Sequence, residues 1–407
     1  MKSFIIPEIY KSNIIGKIKE SRRIQDRLKK DFTPTVLDFG PVKILIARHF
    51  GFCYGVENAV EIAYRTVNEN PDKRIFLLSE MIHNPDVNAD LQSQGVKFLM
   101  HTKGNQLIDW AELNPEDAVI VPAFGTTLEI QQHLASLNID PYKYDTTCPF
   151  VEKVWNRAGQ IGERGYSIVV HGKPNHEETR ATFSHSKQNA PTVVLNDMQE
   201  AQLLAQYITK ELPREQFYLD FAGQYSEGFD SDRDLARIGV VNQTTMLASD
   251  TQAIADYLKQ IMADYYQLQP NEVEKHFANT RDTLCYATND NQDATYALLK
   301  NKADFAVVVG GYNSSNTAHL VELCEEQLPT FFIQSQDKIL DKNLIQHYDL
   351  HTKTEIATSF MPEQENTTIM LTCGASCPDA VMESVMLKIL SFFNIKKEIS
   401  EVIGALE

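Results

Sequence analysis

Nine short apolar runs punctuate the chain between Val42 and Thr372: VKILIA, RIFLLS, AVIVPA, YSIVV, TVVL, RIGVV, FAVVVGG, TFFIQ and TTIMLT. Most are separated by segments whose apolar residues recur with a helical period. Continuous apolar strands alternating with helices predict an α/β protein whose parallel sheets are buried on both faces. In such sheets ligands gather outside the carboxyl ends of the strands, so function is expected in the strand-to-helix loops.

Residues 1–40 break this pattern. Their basic stretch Lys17–Lys30 (KIKESRRIQDRLKK) reads as an appended, solvated helix, and Glu20 and Asp26 inside it are unlike the acid-poor composition of a transit peptide. Further on, three loops are alike: His49-Phe50-Gly51-Phe52-Cys53, Asp145-Thr146-Thr147-Cys148 and Asp282-Thr283-Leu284-Cys285, each opening a predicted helix. This weak internal repeat predicts three similar lobes, at 41–147, 148–283 and 284–395, with an extension at 1–40 and a tail at 396–407. The gap from Cys148 to Cys285 is the longer one, and the polar stretch near 196–237 reads as an insertion within it.

At 407 residues the chain exceeds what one hydrophobic core organises, in line with two or three domains. No apolar run reaches the ~18 residues of a membrane span. A net charge of −17 and the lack of a Lys/Arg stripe argue against a nucleic-acid partner. Six cysteines are too sparse for a disulfide scaffold, and with no apolar signal segment at Met1 the expected compartment is the reducing cytoplasm. The cysteines are then thiols or metal ligands.

A thiolate at a helix N-terminus is favoured by the dipole and by free backbone N–H groups, which prepares it as a ligand or nucleophile. Three such positions, Cys53, Cys148 and Cys285, at equivalent loop ends point to one iron–sulfur cluster. Three thiolates leave one iron of a cubane without a protein ligand and open to a substrate oxygen, which implies catalysis rather than electron storage. Cys324, Cys373 and Cys377 read as core residues. The C-x3-C pair Cys373/Cys377 is the rival metal site, but no third cysteine follows at the spacing a radical-type cluster would require, Asp379 standing two places after Cys377, and no C-x2-C zinc pattern occurs.

A second set of loops is polar and neutral: His83-Asn84-Pro85, His176-Glu177-Glu178, Asn242-Gln243-Thr244-Thr245, Asn313-Ser314-Ser315-Asn316 and Gly374-Ala375-Ser376. Hydroxyls, amides, imidazoles and helix N-termini hold phosphate without fixed cations, so a small phosphorylated ligand is expected. Each motif alone is equally a common turn or helix start. Glu178 is the carboxylate of this set taken as an acid–base candidate.

Taken in order, FGFCYGVENAV, EMIHNPDVNADL, DTTCPFVEKV, HGKPNHEETRAT, NQTTMLASDT, DTLCYATNDNQDA, GGYNSSNTAHLVEL and CGASCPDAVME resemble the 4-hydroxy-3-methylbut-2-enyl diphosphate reductase family, over Val42 to Leu390. This family supplies the last enzyme of the methylerythritol phosphate route to isoprenoids. The resemblance implies a pseudo-threefold trefoil of three α/β lobes around a [4Fe–4S] cluster with one open iron, held by Cys53, Cys148 and Cys285. It implies that His83, His176, Ser314, Ser315, Asn316 and Ser376 hold the substrate diphosphate, and that Glu178 and Thr244 serve its hydroxyl and proton supply. It also implies a ferredoxin- or flavodoxin-type electron donor. Many bacterial members carry His-Gly where this chain has Phe124-Gly125; the longer cyanobacterial and plastid branch looks like this chain there and in its N-terminal extension. No diphosphate contact is assigned to Phe124.

Two rival classes are a non-redox iron–sulfur hydro-lyase acting on a small anionic substrate, which needs no electrons, and an iron–sulfur sensor. The sensor reading expects a basic nucleic-acid face, and the acidic charge opposes it.

Overall fold

The computed structural model describes residues 4–279, 283–362 and 366–406. The chain forms two compact units, one made of Met1–Glu61, Ile82–Asp90 and Tyr286–Glu407, the other of Ile62–Met81 and Leu91–Cys285. As the apolar runs predict, the architecture is α/β with mainly parallel sheets. Among the described residues no helix is long and apolar enough to cross a membrane.

The first unit is built on a five-stranded sheet in the order Thr35–Asp38, Val42–Ile46, Thr367–Cys373, Phe305–Val309, Thr330–Ile333. All its pairings are parallel except the first, a hairpin in which Leu37 faces Ile44. The lobe division from sequence put Val42–Ile46 with 41–147; it pairs instead with Thr367–Cys373, Ile44 opposite Ile369. That partner is more than three hundred residues away, and pairing at such range leaves no local signal. Phe39, Ile44, Ile46, Phe305, Val307 and Leu371 form the core of the sheet.

The expectation for the N-terminal extension is corrected. The appended helix spans Asn13–Gln25, starts at Ser12, whose Oγ accepts from Ile15 N, and is not solvated all round: Ile15 and Ile18 are buried in the sheet's own core. Spaced three apart, they and Ser21 share one face while the charges take the other. The tail also packs, through the helix Ile399–Gly404, with Val402 and Ile403 buried and Leu406 O accepting from Ser21 Oγ at 2.6 Å.

The second unit holds two three-stranded parallel sheets. One runs Lys97–Phe98, Ile75–Leu77, Ala118–Ile120; the other runs Thr192–Leu195, Ser167–His171, Ile238–Asn242. The stretch near 196–237 has its own aromatic nucleus. Around fully buried Phe217, from the helix Arg214–Asp220, lie Phe221 at 5.1 Å, Phe229 at 5.2 Å and Tyr207 at 5.3 Å between ring centroids. These rings continue into the core under Val169 and Val193. Phe217→Ala is therefore expected to cost about 3–5 kcal/mol of stability, read as a lower urea midpoint.

Candidate active site

Among the described residues the six cysteines form no disulfide, and they divide by environment: Cys53, Cys148 and Cys285 are partly exposed, while Cys324, Cys373 and Cys377 are buried. Cys373 Sγ lies 3.6 Å from Met382 Sδ inside the apolar core, as expected of packing cysteines.

In the second unit, Cys148 stands at the N-cap of the helix Pro149–Glu163. Proline at the first helical position lacks the N–H that would go unpaired there, so the sequence Cys-Pro fixes the helix start. Asp145 shapes the approach, its Oδ1 accepting from Thr147 N at 2.8 Å and Thr147 Oγ1 at 2.5 Å. The Cys148 N–H donates to Ala123 O at 2.9 Å, tying the loop to the end of the Ala118–Ile120 strand. Cys285 is tied to the end of another strand: its N–H donates to Thr244 O at 3.3 Å, and neighbouring Thr283 bonds Asn242 through Oγ1 at 2.5 Å. Asp282 of this motif lies outside the described residues.

Glu178 and Thr244, paired by the family resemblance, are in direct contact. Glu178 Oε1 accepts from Thr244 N at 2.5 Å and Oε2 accepts from Thr244 Oγ1 at 3.0 Å, with both residues buried. Glu178 sits in the first turn of the helix Glu177–Lys187, whose N-cap is His176; the imidazole Nδ1 accepts from Glu178 N at 3.2 Å. With Nδ1 accepting, neutral His176 carries its proton on Nε2 and can donate from there. Phe124 meets this ring edge-on, centroids 5.6 Å apart, so the residue that cannot bond a phosphate packs against one that can.

Burial pushes the Cys148 thiol up to about 11, and negative charge at Cys285 and Glu178 adds to it. A thiol disfavoured from ionising by burial and by charge on a second thiol and a carboxyl belongs to a donor set that a polynuclear cation would relieve. These residues fit an iron–sulfur cluster. Among the described residues no three His, Cys, Asp or Glu side chains converge as they would on a single metal ion; a cubane distributes its thiolates over several irons.

One residue of the Asn242–Thr245 motif that was given no role of its own organises this region. Buried Gln243 accepts through Oε1 from Lys173 N at 3.1 Å and Thr179 Oγ1 at 2.9 Å, and donates through Nε2 to Thr245 Oγ1 at 2.7 Å. It bonds the loop before Glu178 to the loop carrying Thr244. The only sequence signal was a long amide placed directly after an apolar strand.

In the first unit, Ser314 caps the helix Ser315–Glu325, its Oγ accepting from Thr317 N at 3.3 Å. Asn316 Oδ1 accepts from Ala375 N at 2.9 Å and from Asn291 Nδ2 at 3.4 Å. This fixes the amide orientation and leaves Asn316 Nδ2, a buried donor, with no hydrogen-bond partner among the described residues. Ser376 Oγ donates to His83 O at 3.0 Å, joining the two loops. Gly374 is required here by close approach, since a Cβ on it would overlap Thr317 Oγ1. His83, Ser314, Ser315, Asn316 and Ser376 thus belong to this unit, with a helix N-terminus among them. Cys53 belongs to it as well, its carbonyl accepting from Glu57 N at 2.9 Å at the start of the helix Tyr54–Glu69.

Residues 44–390 match the family model described as LytB protein. The 4-hydroxy-3-methylbut-2-enyl diphosphate reductase of Cyanothece sp. (strain PCC 7425) is 38% identical over 384 residues, covering 94% of this chain and 89% of its own. That of Synechococcus sp. (strain RCC307) is 42% identical over 352 residues, covering 86% and 84%. A solved (E)-4-hydroxy-3-methyl-but-2-enyl diphosphate reductase shares the fold at TM-score 0.51 and 22% identity, over 86% of this chain and 99% of that one. A second, the E-1-hydroxy-2-methyl-but-2-enyl-4-diphosphate reductase of Plasmodium falciparum, gives TM-score 0.59 at 20% identity, over 86% and 87%.

Proposed function

The chain belongs to the LytB protein family, and from that membership we propose that it reduces (E)-4-hydroxy-3-methylbut-2-enyl diphosphate to isopentenyl and dimethylallyl diphosphate in isoprenoid biosynthesis. The observation that carries the chemistry is Glu178, buried and held at both oxygens by Thr244, beside the thiols of Cys148 and Cys285. The reaction takes up two electrons and two protons, breaks the bond between carbon and the terminal hydroxyl oxygen, and releases water.

Cys53, Cys148 and Cys285 would hold one [4Fe–4S] cluster. When bound, this group supplies the electrons one at a time and a Lewis-acidic iron for the hydroxyl. Glu178 delivers the proton that turns the departing hydroxyl into water, and Thr244 orients that carboxyl through its N–H and hydroxyl. His83, His176, Ser314, Ser315, Asn316 and Ser376 hold the diphosphate with neutral donors, His176 through Nε2 and Asn316 through Nδ2. The buried Nδ2 donor of Asn316 beside a helix N-terminus supports an anionic oxygen there. Their shared task is to orient the substrate and exclude water. Electrons would come from a small ferredoxin- or flavodoxin-type protein.

Anaerobic assay of the iron-loaded enzyme with and without a one-electron reductant tests this reading. Turnover is expected only with the reductant; a dehydrated product formed without it would overturn the reductase reading in favour of a hydro-lyase. Asn316→Asp puts a carboxylate where the diphosphate is to bind and removes the Nδ2 donor. The loss of one hydrogen bond to a charged group alone predicts a KM about 10–100-fold higher, with cluster content unchanged.

A further inference from the structure

We infer that residues 4–32 are a positioning clamp that holds the loop 48–54 in the shape that presents Cys53. This rests on the reading of Cys53 as an iron ligand. The extension meets the loop residue by residue, on both sides of the cysteine. Arg48 donates to Arg22 O at 3.3 Å and lies 3.8 Å from the Asp26 carboxylate. His49 meets the Phe32 ring edge-on, centroids 5.4 Å apart. The Lys19 ammonium sits 4.7 Å from the centre of the Phe50 ring. Tyr10 approaches Phe52 at 6.0 Å, and Phe4 meets Tyr54 edge-on at 4.9 Å.

Gly51 shows how closely the loop is fitted. It adopts a positive φ of 74°, and a Cβ there would stand 2.8 Å from Asp379 Oδ1 and 3.0 Å from Lys19 Nζ. Those two atoms form an ion pair at 2.6 Å, so Lys19 joins the extension, the loop and the helix Asp379–Leu390 at one point. The clamp is itself anchored: Ile15 and Ile18 lie in the sheet core, and Tyr10 Oη donates to Asp90 Oδ2 at 3.1 Å. A glycine-containing loop would otherwise sample many conformations, and a ligand thiolate gains affinity when its surroundings fix it in advance.

Lys19→Met tests the clamp, because it keeps most of the aliphatic stem and removes both the ion pair and the cation–π component of the contact with Phe50. On anaerobically prepared holoenzyme, two rates are followed: hydrogen exchange of the 48–54 amides, and loss of iron to a ferrous chelator. Both are expected to rise about tenfold, the scale on which partners behind metal ligands act. Phe4→Ala should move both rates in the same direction. Phe217→Ala, a destabilised variant in the other unit and remote from the loop in sequence, should move neither. Unchanged exchange at 48–54 in Lys19→Met, faster exchange with unchanged iron loss, or equal iron loss in Phe217→Ala would each overturn the proposal. Cys53→Ser separates the two claims: wild-type iron retention in it would sink the ligand reading, while loop exchange in Lys19→Met still decides whether the clamp exists.

Discussion

Glu178→Gln is expected to lower turnover by about 10²–10⁴-fold, the range that a positioned proton donor contributes, while leaving iron content and visible absorbance at their wild-type values. The substitution is nearly isosteric, so the buried packing survives. Glutamine keeps one acceptor oxygen for the Thr244 N–H, and its amide can donate to Thr244 Oγ1, which accepts as readily as it donates. The backbone bond from Glu178 N to His176 Nδ1 does not involve the side chain, so the helix start is kept. The amide cannot release a proton to a leaving hydroxyl. Near-wild-type kcat in the iron-loaded variant would remove Glu178 from the proton path.

Cys148→Ser should lose the cluster and, with it, all activity. The local fold argues that this loss would be ligand chemistry and not misfolding. Cys148 occupies an N-cap without making a side-chain capping bond, and serine is among the preferred residues at that position. The variant should therefore hold its helix as well as the parent or slightly better, by up to about 1 kcal/mol. Circular dichroism and the urea midpoint would check the fold, and iron and sulfide analysis the cluster. An intact iron–sulfur spectrum in Cys148→Ser would strike that residue from the ligand set.

Both results turn on residues visible in the sequence, and the reason is local. A parallel strand buried on both faces announces itself as an unbroken apolar run, as Ser167–His171 and Phe305–Val309 do. Its following loop then marks where chemistry is placed. Elements with one wet face gave weaker signals. The edge strand Thr35–Asp38 alternates buried and exposed positions over only four residues, and the hairpin Leu344–Asp349 with Thr354–Ser359 buries almost nothing, so neither was read. The role of Gln243 within its motif was missed because it lies in bonds to Lys173 and Thr179, residues some seventy positions earlier in the chain. The clamp contacts of Phe4, Tyr10 and Lys19 were invisible for a different reason: their spacing in sequence is irregular, and only the fold aligns them with His49 to Tyr54.

The sheet of the first unit also bears on how the protein is made. Val42–Ile46 is translated more than three hundred residues before Thr367–Cys373, the parallel strand that flanks it. At ~5–20 residues per second the nascent chain carries that strand for tens of seconds with only its Thr35–Asp38 edge paired. Residues 62–81 and 91–285 can meanwhile condense around their own two sheets. A chain halted before Thr367 would therefore be half folded and half adhesive, its second unit condensed while one edge of Val42–Ile46 still lies open to wrong partners.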